Sequence, residues 1–436
     1  MDTQPKLFPY QVEDASWLST KKKALLAHEM GTGKSAITIQ AMKLANVKRV
    51  LIIAPPIARE TWKREYKKWG MREPRIILKR SEKIEAPDES VVVSFDYATV
   101  NHKQLCKTQF DLIVVDESHF LKAPTAKRTQ AVFGTHGVIH KTKRIWLLSG
   151  TPMPNNPSEL WPMLRSFGAT DLSFDQFVSY YCTYYEYMQR KVITGARGVR
   201  IPELQALLKP VMLRRTTEEV LKDLPEVRHE ELLLEPKLTN LTPELKEEFK
   251  LLESSLGKNK TPEEAIAAMS MLASSISTLR RYCAIQKVEA LSEILIEELE
   301  NRAYEKIVIF GIHREALGVL QEKLSRFNPV RIDGSINPIE RQRNIDRFQN
   351  DGSCRVFIGN IQAAGTNITL TSCHHMVFLE QSWVPGDNQQ AVARCRRIGQ
   401  KNSVFVRHAA IKDTVDQRVQ SALASKSFDI SQLLTK

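Results

Sequence analysis

The sequence predicts two α/β domains in tandem, each a parallel sheet with helices on both faces, joined by a segment in which helices dominate. Three observations carry that expectation. The 436 residues suffice for two or three domains that each bury a core of their own. Two separate series of short apolar runs end in polar turns and are spaced by helix-length segments, the pattern of strands buried on both faces of a parallel sheet. Between the two series, apolar residues recur at helical spacing.

The elements follow in order. LFPYQ opens a first helix, and the short run ALLA leads into HEMGTGKSAITIQAMKLA, a glycine loop that opens the next helix. RVLIIAP, SVVVSF, FDLIVVDE and RIWLLSGTP each predict a strand whose carboxyl end carries polar residues. From about 155 to 302, ELQALLKPVMLRR, ELKEEFKLLESSL and KVEALSEILIEELENR predict helices. The second series is KIVIFGI, PVRIDG, CRVFIG, MVFLEQ and SVFVRHAAI, with REALGVLQEKLSRF among the intervening helices. The expected boundaries are residues 1–153 for the first domain, 154–230 for a helical insertion and brace, and 231–436 for the second domain, with a helical insertion near 238–300. No low-complexity tract or internal repeat is evident beyond the duplicated architecture.

Composition narrows the functional classes. Apolar residues make up 42% and charged residues 26%, which are globular values, and no stretch approaches the ~20 apolar residues of a membrane span. The start, MDTQPKLFPYQ, lacks a secretory layout, so an intracellular protein with no membrane association is expected. Cys106, Cys182, Cys283, Cys354, Cys373 and Cys395 form no C-x-x-C pair, which argues against a zinc site or disulfide framework. Sixty-three Lys and Arg against 50 acidic residues give a net charge of +13, which favours a polyanionic partner. A solvated basic surface explains the same charge equally well.

The motifs are sharper. In ligand-binding α/β sheets the site lies beyond the carboxyl ends of the strands. Gly31, Thr32 and Gly33 let backbone N–H groups approach a phosphate, Lys34 neutralises the β- and γ-phosphates, and Ser35 holds Mg²⁺. His28 stands where the strict phosphate-loop pattern has its first glycine. At the end of FDLIVVDE, Asp116 suits the magnesium and Glu117 the attacking water. An acidic pair capping a strand-to-helix turn would look alike, but together with Lys34 it defines a nucleoside-triphosphate hydrolase.

These residues resemble the Swi/Snf family of superfamily 2 DNA translocases. The resemblance runs in order through nearly the whole chain: LFPYQ, HEMGTGKS, APPIARETW, VVSFDYATV, VVDESHFLK, LLSGTPMPNNPSELW, VMLRRTTEEVLKDLP, KIVIFGIHRE, RIDGSINPIERQRNIDRFQ and SWVPGDNQQAVARCRRIGQ. DESHFLK, the YYC segment near Cys182 and ELQALLKPVMLRR are most similar to the annealing-helicase, HARP-like branch. The resemblance implies two tandem RecA-like lobes with helical insertions, a DNA-dependent ATPase with ATP and Mg²⁺ as cofactors, and movement on double-stranded or branched DNA. It also implies a monomer on DNA, with a replication or repair protein as a further partner. The absence of room for accessory modules suggests a bacterial or phage setting.

By the same resemblance, Gln11 lies at the adenine edge with Phe8 nearby, and Ser149, Gly150 and Thr151 couple hydrolysis to the DNA groove. Gln390 helps close the cleft, while Arg394 and Arg397, three residues apart on one helix face, act as arginine fingers. Lys63, Arg64, Ser94, Arg341 and Trp383 occupy positions that contact one DNA strand. ATP-driven closure of the lobes then advances the protein along that strand. Three departures stand out: Asn367 in GTNITLT replaces a glycine, Ala393 an acidic residue and Arg396 a histidine. A strand-separating helicase on RNA or branched DNA, and an ATP-dependent DNA clamp, remain as alternatives.

Overall fold

The computed structural model describes residues 6–56, 58–84, 90–187, 190–221, 224–236, 239, 242–255, 273–364, 368–412, 414, 416 and 417. The described residues fall into two compact units, one holding those up to 183 and within 196–222, the other those within 184–195 and 223–417.

In the first unit, helix α1 (Pro9–Thr20) precedes strand β1 (Lys23–Leu26), and helix α2 (Lys34–Leu44) follows it. Strand β2 (Val50–Ala54), helix α3 (Ala58–Lys68), and strands β3 (Arg75–Ile76), β4 (Val91–Ser94), β5 (Phe110–Asp116) and β6 (Thr142–Leu148) come next. A two-stranded hairpin of β7 (Cys182–Tyr187) and β8 (Arg190–Ala196) follows, most of it grouped with the second unit, and strand β9 (Met212–Leu213) then completes the first unit's sheet, whose order is β3-β4-β2-β5-β6-β1-β9. All its pairings are parallel. Every residue of β2 is buried, which explains why the run VLIIA shows no polar alternation. Helix α3 buries Ala58, Trp62 and Tyr66, four residues apart on one stripe against that sheet.

The second unit contains strands β10 (Val227–Leu234), β11 (Ile307–Gly311), β12 (Val330–Ile332), β13 (Val356–Asn360), β14 (His375–Phe378) and β15 (Val404–Ile411). They form a second parallel sheet in the order β10-β15-β14-β11-β13-β12. The helix Ala273–Glu300 covers it, with Leu291, Leu295 and Leu299 fully buried at helical spacing. Two parallel sheets flanked by helices are the fold class that the apolar runs predicted.

The 155–302 region departs from the helical expectation in three places. CTYYEY and RKVITGA, rich in aromatic and β-branched residues, form the β7–β8 hairpin. Met212 and Leu213 end the helical reading of ELQALLKPVMLRR at Leu208 by pairing with Leu25 and Leu26. Val227–Leu234 is an edge strand, largely exposed, so its sequence lacks a strand's apolar signature; an eight-residue ladder with β15 holds it instead. The second sheet therefore starts at Val227, before the expected boundary at 231. Among the described residues, no helix is long and apolar enough to cross a membrane.

Candidate nucleotide site and arginine turn

Strand order places three motif-bearing loops side by side. β5, β6 and β1 are adjacent and parallel, with Asp116 in register with Leu148 and Leu148 with Leu26. The glycine loop after β1, the Asp116–Glu117 pair after β5 and the Ser149–Thr151 turn after β6 therefore leave the sheet at one level, at the carboxyl ends.

The glycine loop needs its glycines. Gly31 and Gly33 both have φ of +82°, the left-handed region, and Gly33 caps α2 from that conformation. A Cβ on Gly33 would collide with the Gln11 amide nitrogen. Lys34 and Ser35 begin α2, where N–H groups point outward. The Lys34 ammonium donates to the His28 carbonyl at 2.9 Å and the Glu29 carbonyl at 3.1 Å. The buried Thr32 hydroxyl donates to the Glu29 carbonyl at 2.8 Å, which tightens the loop.

Gln11 serves this loop directly. Its Oε1 accepts the Phe8 N–H at 3.0 Å, capping α1, and its Nε2 donates to the Thr32 carbonyl at 3.1 Å. Tyr10 donates its hydroxyl to the same carbonyl at 2.7 Å. Each atom of the Gln11 amide thus makes a bond within the protein, while Phe8 stacks on Tyr10 and remains 45% exposed.

Asp116 is held on both oxygens: Oδ2 accepts the Trp62 indole N–H at 2.9 Å and Oδ1 the Glu117 N–H at 3.0 Å. Desolvation first, and the adjacent Glu117 carboxylate second, push its carboxyl up to about 6, against the opposing pull of Trp62 and the nearby Lys34. Glu117 adopts a left-handed backbone (φ +50°), uncommon for a residue with a side chain and a sign of local strain. His119 Nδ1 lies 3.3 Å from Glu117 Oε2 and 3.1 Å from Ser149 Oγ, and Ser149 Oγ accepts the Thr151 N–H at 3.1 Å. A polar chain therefore runs from Glu117 to the turn after β6. Gly150 packs so closely on Met30 that a Cβ would lie 2.9 Å from its Cγ, which ties the same turn to the glycine loop.

Trp62 and His119 had no role in the sequence reading. Both lie inside quoted motifs, APPIARETW and DESHFLK, but nothing in a sequence reveals that an indole twenty-eight positions after Lys34 returns to the strand-end carboxylate.

In the second unit, the expectation of Arg394 and Arg397 on one helix face is corrected. The helix Pro385–Val392 ends before them, and residues 393–399 are turns. At its end the Arg394 N–H turns to the Ala391 carbonyl, three residues back, at 3.1 Å, and the Arg394 carbonyl accepts the Leu370 N–H at 2.9 Å. The buried Gln400 amide then donates to the carbonyls of Cys373 (2.8 Å), Thr371 (3.3 Å) and Cys395 (3.3 Å), folding the turn back onto the unit. Arg394, 6% exposed, donates from Nε to the carbonyl of buried Gln390 at 3.0 Å. Arg397 donates to Thr369 Oγ1 at 3.2 Å. Arg396 donates to the Pro225 carbonyl at 2.9 Å, fastening the turn to the segment that enters β10. Asn367 lies outside the described residues.

The expected DNA contacts are distributed over both units. Lys63 and Arg64 lie on α3; Lys63 pairs with Glu73 at 3.6 Å and Arg64 is exposed. Ser94 caps the helix Phe95–Val100 by accepting the Tyr97 N–H at 3.1 Å. Arg341 sits half-buried in the first turn of the helix Pro338–Asn350, and Trp383 lies under the Arg280 guanidinium, 4.6 Å from the ring centre.

Comparison with known proteins places these features in a family. The SNF2-related domain matches residues 10–288, and the helicase conserved C-terminal domain matches residues 286–399. The chain is 31% identical over 449 residues to the SWI/SNF-related matrix-associated actin-dependent regulator of chromatin subfamily A-like protein 1 homolog of Caenorhabditis elegans, covering 98% of this chain and 62% of that protein. It is 30% identical over 444 residues to the DNA annealing helicase and endonuclease ZRANB3 of Mus musculus, covering 97% of this chain and 40% of that protein. The chain thus spans less than two thirds of these curated relatives. Among solved structures, the Sulfolobus solfataricus SWI2/SNF2 ATPase core in complex with dsDNA aligns with a TM-score of 0.46 and 23% identity, covering 99% of this chain and 96% of that one.

Proposed function

The chain belongs to the SNF2-related domain family, and on that premise we propose that it is a DNA-dependent ATPase that moves along or remodels duplex DNA, with fork remodelling or strand annealing as its work. The observation that carries this reading is the convergence of Lys34, Asp116, Glu117 and Ser149 at the carboxyl ends of three adjacent strands.

The residues fit a magnesium nucleotide. Two left-handed glycines, a helix N-terminus, one ammonium, one hydroxyl and a carboxylate form the donor set that phosphates and a hard cation require. Gly31, Thr32, Gly33, Lys34 and Ser35 would hold the phosphates, with Ser35 and Asp116 on the metal. Bound magnesium–ATP supplies the transferable phosphoryl group and the charge that neutralises it. The protein supplies the rest. Trp62 fixes the rotamer of Asp116, Glu117 orients a water and accepts its proton, and His119 keeps Glu117 linked to Ser149. Arg394 and Arg397 are required for turnover, as guanidinium groups that stabilise transferring phosphate.

The partner is double-stranded or branched DNA, contacted through Lys63, Arg64, Ser94, Arg341 and Trp383 on the phosphate backbone, in keeping with the net charge of +13. The protein works as an intracellular monomer on DNA, beside a replication or repair protein. Triplex displacement by wild type and Glu117→Gln, with ATPase rates on duplex DNA, single-stranded DNA and RNA at matched salt, tests the proposal. Duplex-stimulated turnover and displacement by wild type alone are expected. Preferential stimulation by RNA would instead identify a strand-separating helicase, and nucleotide binding without steady turnover a clamp.

A further inference from the structure

The two carbonyls that hold the Lys34 ammonium belong to His28 and Glu29, and the side chains of those same residues are gripped from the far end of the first unit. His28, fully buried, donates from Nε2 to Asp14 Oδ2 at 2.7 Å. Asp14, 2% exposed, accepts Arg215 on Oδ1 at 2.8 Å and on Oδ2 at 3.2 Å. Burial alone would raise the Asp14 carboxyl, but hydrogen bonds from His28 and Arg215 outweigh it and hold the group below the usual range. Burial holds the His28 imidazole below its own range, so a neutral ring donates to an ionised carboxylate.

Glu29 is gripped in parallel. Its Oε1 accepts Arg214 at 3.2 Å, its Oε2 accepts the Thr217 N–H at 2.9 Å, and its own N–H donates to the Arg215 carbonyl at 3.0 Å. Arg214 also donates to the Ala27 carbonyl at 3.3 Å, extending the β1–β9 ladder into the loop. Residues 214–217 thus back the entire shoulder of the glycine loop, shortly before the chain passes into the second unit at residue 223.

We propose that Arg214 and Arg215 are positioning residues for nucleotide hydrolysis: through Glu29 and through Asp14–His28 they fix the shoulder of the phosphate loop and with it the Lys34 ammonium. A glycine at position 28 would leave that shoulder with no side chain to hold. The histidine converts it into an anchored point, and any shift of residues 214–217 reaches Lys34 through two carbonyl groups. The bidentate grip on Asp14 calls for a planar guanidinium, which a lysine cannot replace.

The proposal rests on the assignment of Lys34 to the phosphates. The test compares DNA-stimulated kcat, KM for ATP, binding of a fluorescent ADP and thermal melting for Arg214→Ala, Arg215→Ala, Arg215→Lys, His28→Gln and Lys34→Ala. Arg214→Ala and Arg215→Ala should lower kcat/KM about 10–100-fold in protein that still melts cooperatively, the cost usual for removing a group that orients a functional side chain. Arg215→Lys should stay impaired, while His28→Gln, whose amide nitrogen can replace the ring Nε2–H, should recover most of the rate. Lower melting temperatures with unchanged kcat and KM would show a merely structural role and overturn the proposal. Should Arg215→Ala not fold, Arg214→Ala and Arg215→Lys decide the matter. Full ADP binding by Lys34→Ala would sink the site assignment itself, whereas its loss there alongside wild-type kinetics in both arginine variants would overturn only the positioning roles.

Discussion

In the first unit the candidate site is held by side chains: Asp116 by Trp62, and the glycine loop by Gln11, Asp14 and Arg215, with His119 3.3 Å from Glu117. In the second unit Arg394 and Arg396 donate to the backbone carbonyls of Gln390 and Pro225, and Arg397 to the Thr369 hydroxyl, in a turn that a buried glutamine folds back. A side-chain network fixes directions and protonation, which proton transfer and metal binding demand. A carbonyl-anchored arginine keeps its charge and its fork while the turn sets its place, which suffices for the electrostatic role proposed for Arg394.

Variants can break or sharpen this contrast. The largest effect should come from Glu117→Gln, which keeps the shape of the side chain but cannot accept a proton. Steady-state ATPase should fall by about 10³-fold or more, with ADP binding retained. Trp62→Phe comes next. It removes the indole N–H from Asp116 together with part of a buried core ring, and the magnesium concentration for half-maximal rate should rise roughly tenfold in a magnesium titration of the ATPase. A change in melting temperature with no change in magnesium response would count against that positioning role.

The third prediction concerns acid stability of the second unit. His229 Nδ1 and His408 Nε2 lie 3.0 Å apart in a hydrogen bond, His408 also stacks on Phe378, and His375 lies between Tyr304 and Phe405. Burial holds His229 and His374 below their usual range. Burial first, helped by His374 and His229 respectively, brings His375 and His408 down to about 4. Between pH 6.5 and about 4 the unfolded chain binds protons that these folded rings refuse, so stability is lost as pH falls through that window. The slope is at most about 1.4 kcal/mol per pH unit for each histidine. Melting curves at pH 7, 6 and 5 should shift steadily downward, and His408→Phe, which stacks but does not titrate, should flatten the shift.

The smallest effect is Ser94→Ala, which removes a helix cap and should cost about 1 kcal/mol of stability. If the same change also reduces the salt dependence of DNA binding, Ser94 touches a phosphate as well as capping its helix.

The two units also differ in what their sequences disclose. β2, β5, β11 and β13 were legible because strands buried on both faces are largely apolar, and the turn at Gly31 and Gly33 because left-handed turns demand glycine. β10 was not legible, since an exposed edge strand is fixed by its partner's ladder rather than by its own apolar pattern. The Arg394 turn escaped for a similar reason: the hydrogen bond that its carbonyl accepts comes from Leu370, twenty-four residues earlier. The links from Asp14 to His28 and from Trp62 to Asp116 join residues 14 and 54 positions apart, and no spacing rule announces such contacts.

The most direct measurement is the duplex-DNA-stimulated ATPase rate of Arg397→Ala at saturating ATP, with ADP binding measured on the same protein. A fall of about 10³-fold with nucleotide binding intact is predicted, because the proposed function assigns the nucleotide to the first unit and the Arg397 guanidinium to hydrolysis. Turnover at the wild-type rate would contradict the assignment of the second unit's arginines to the reaction.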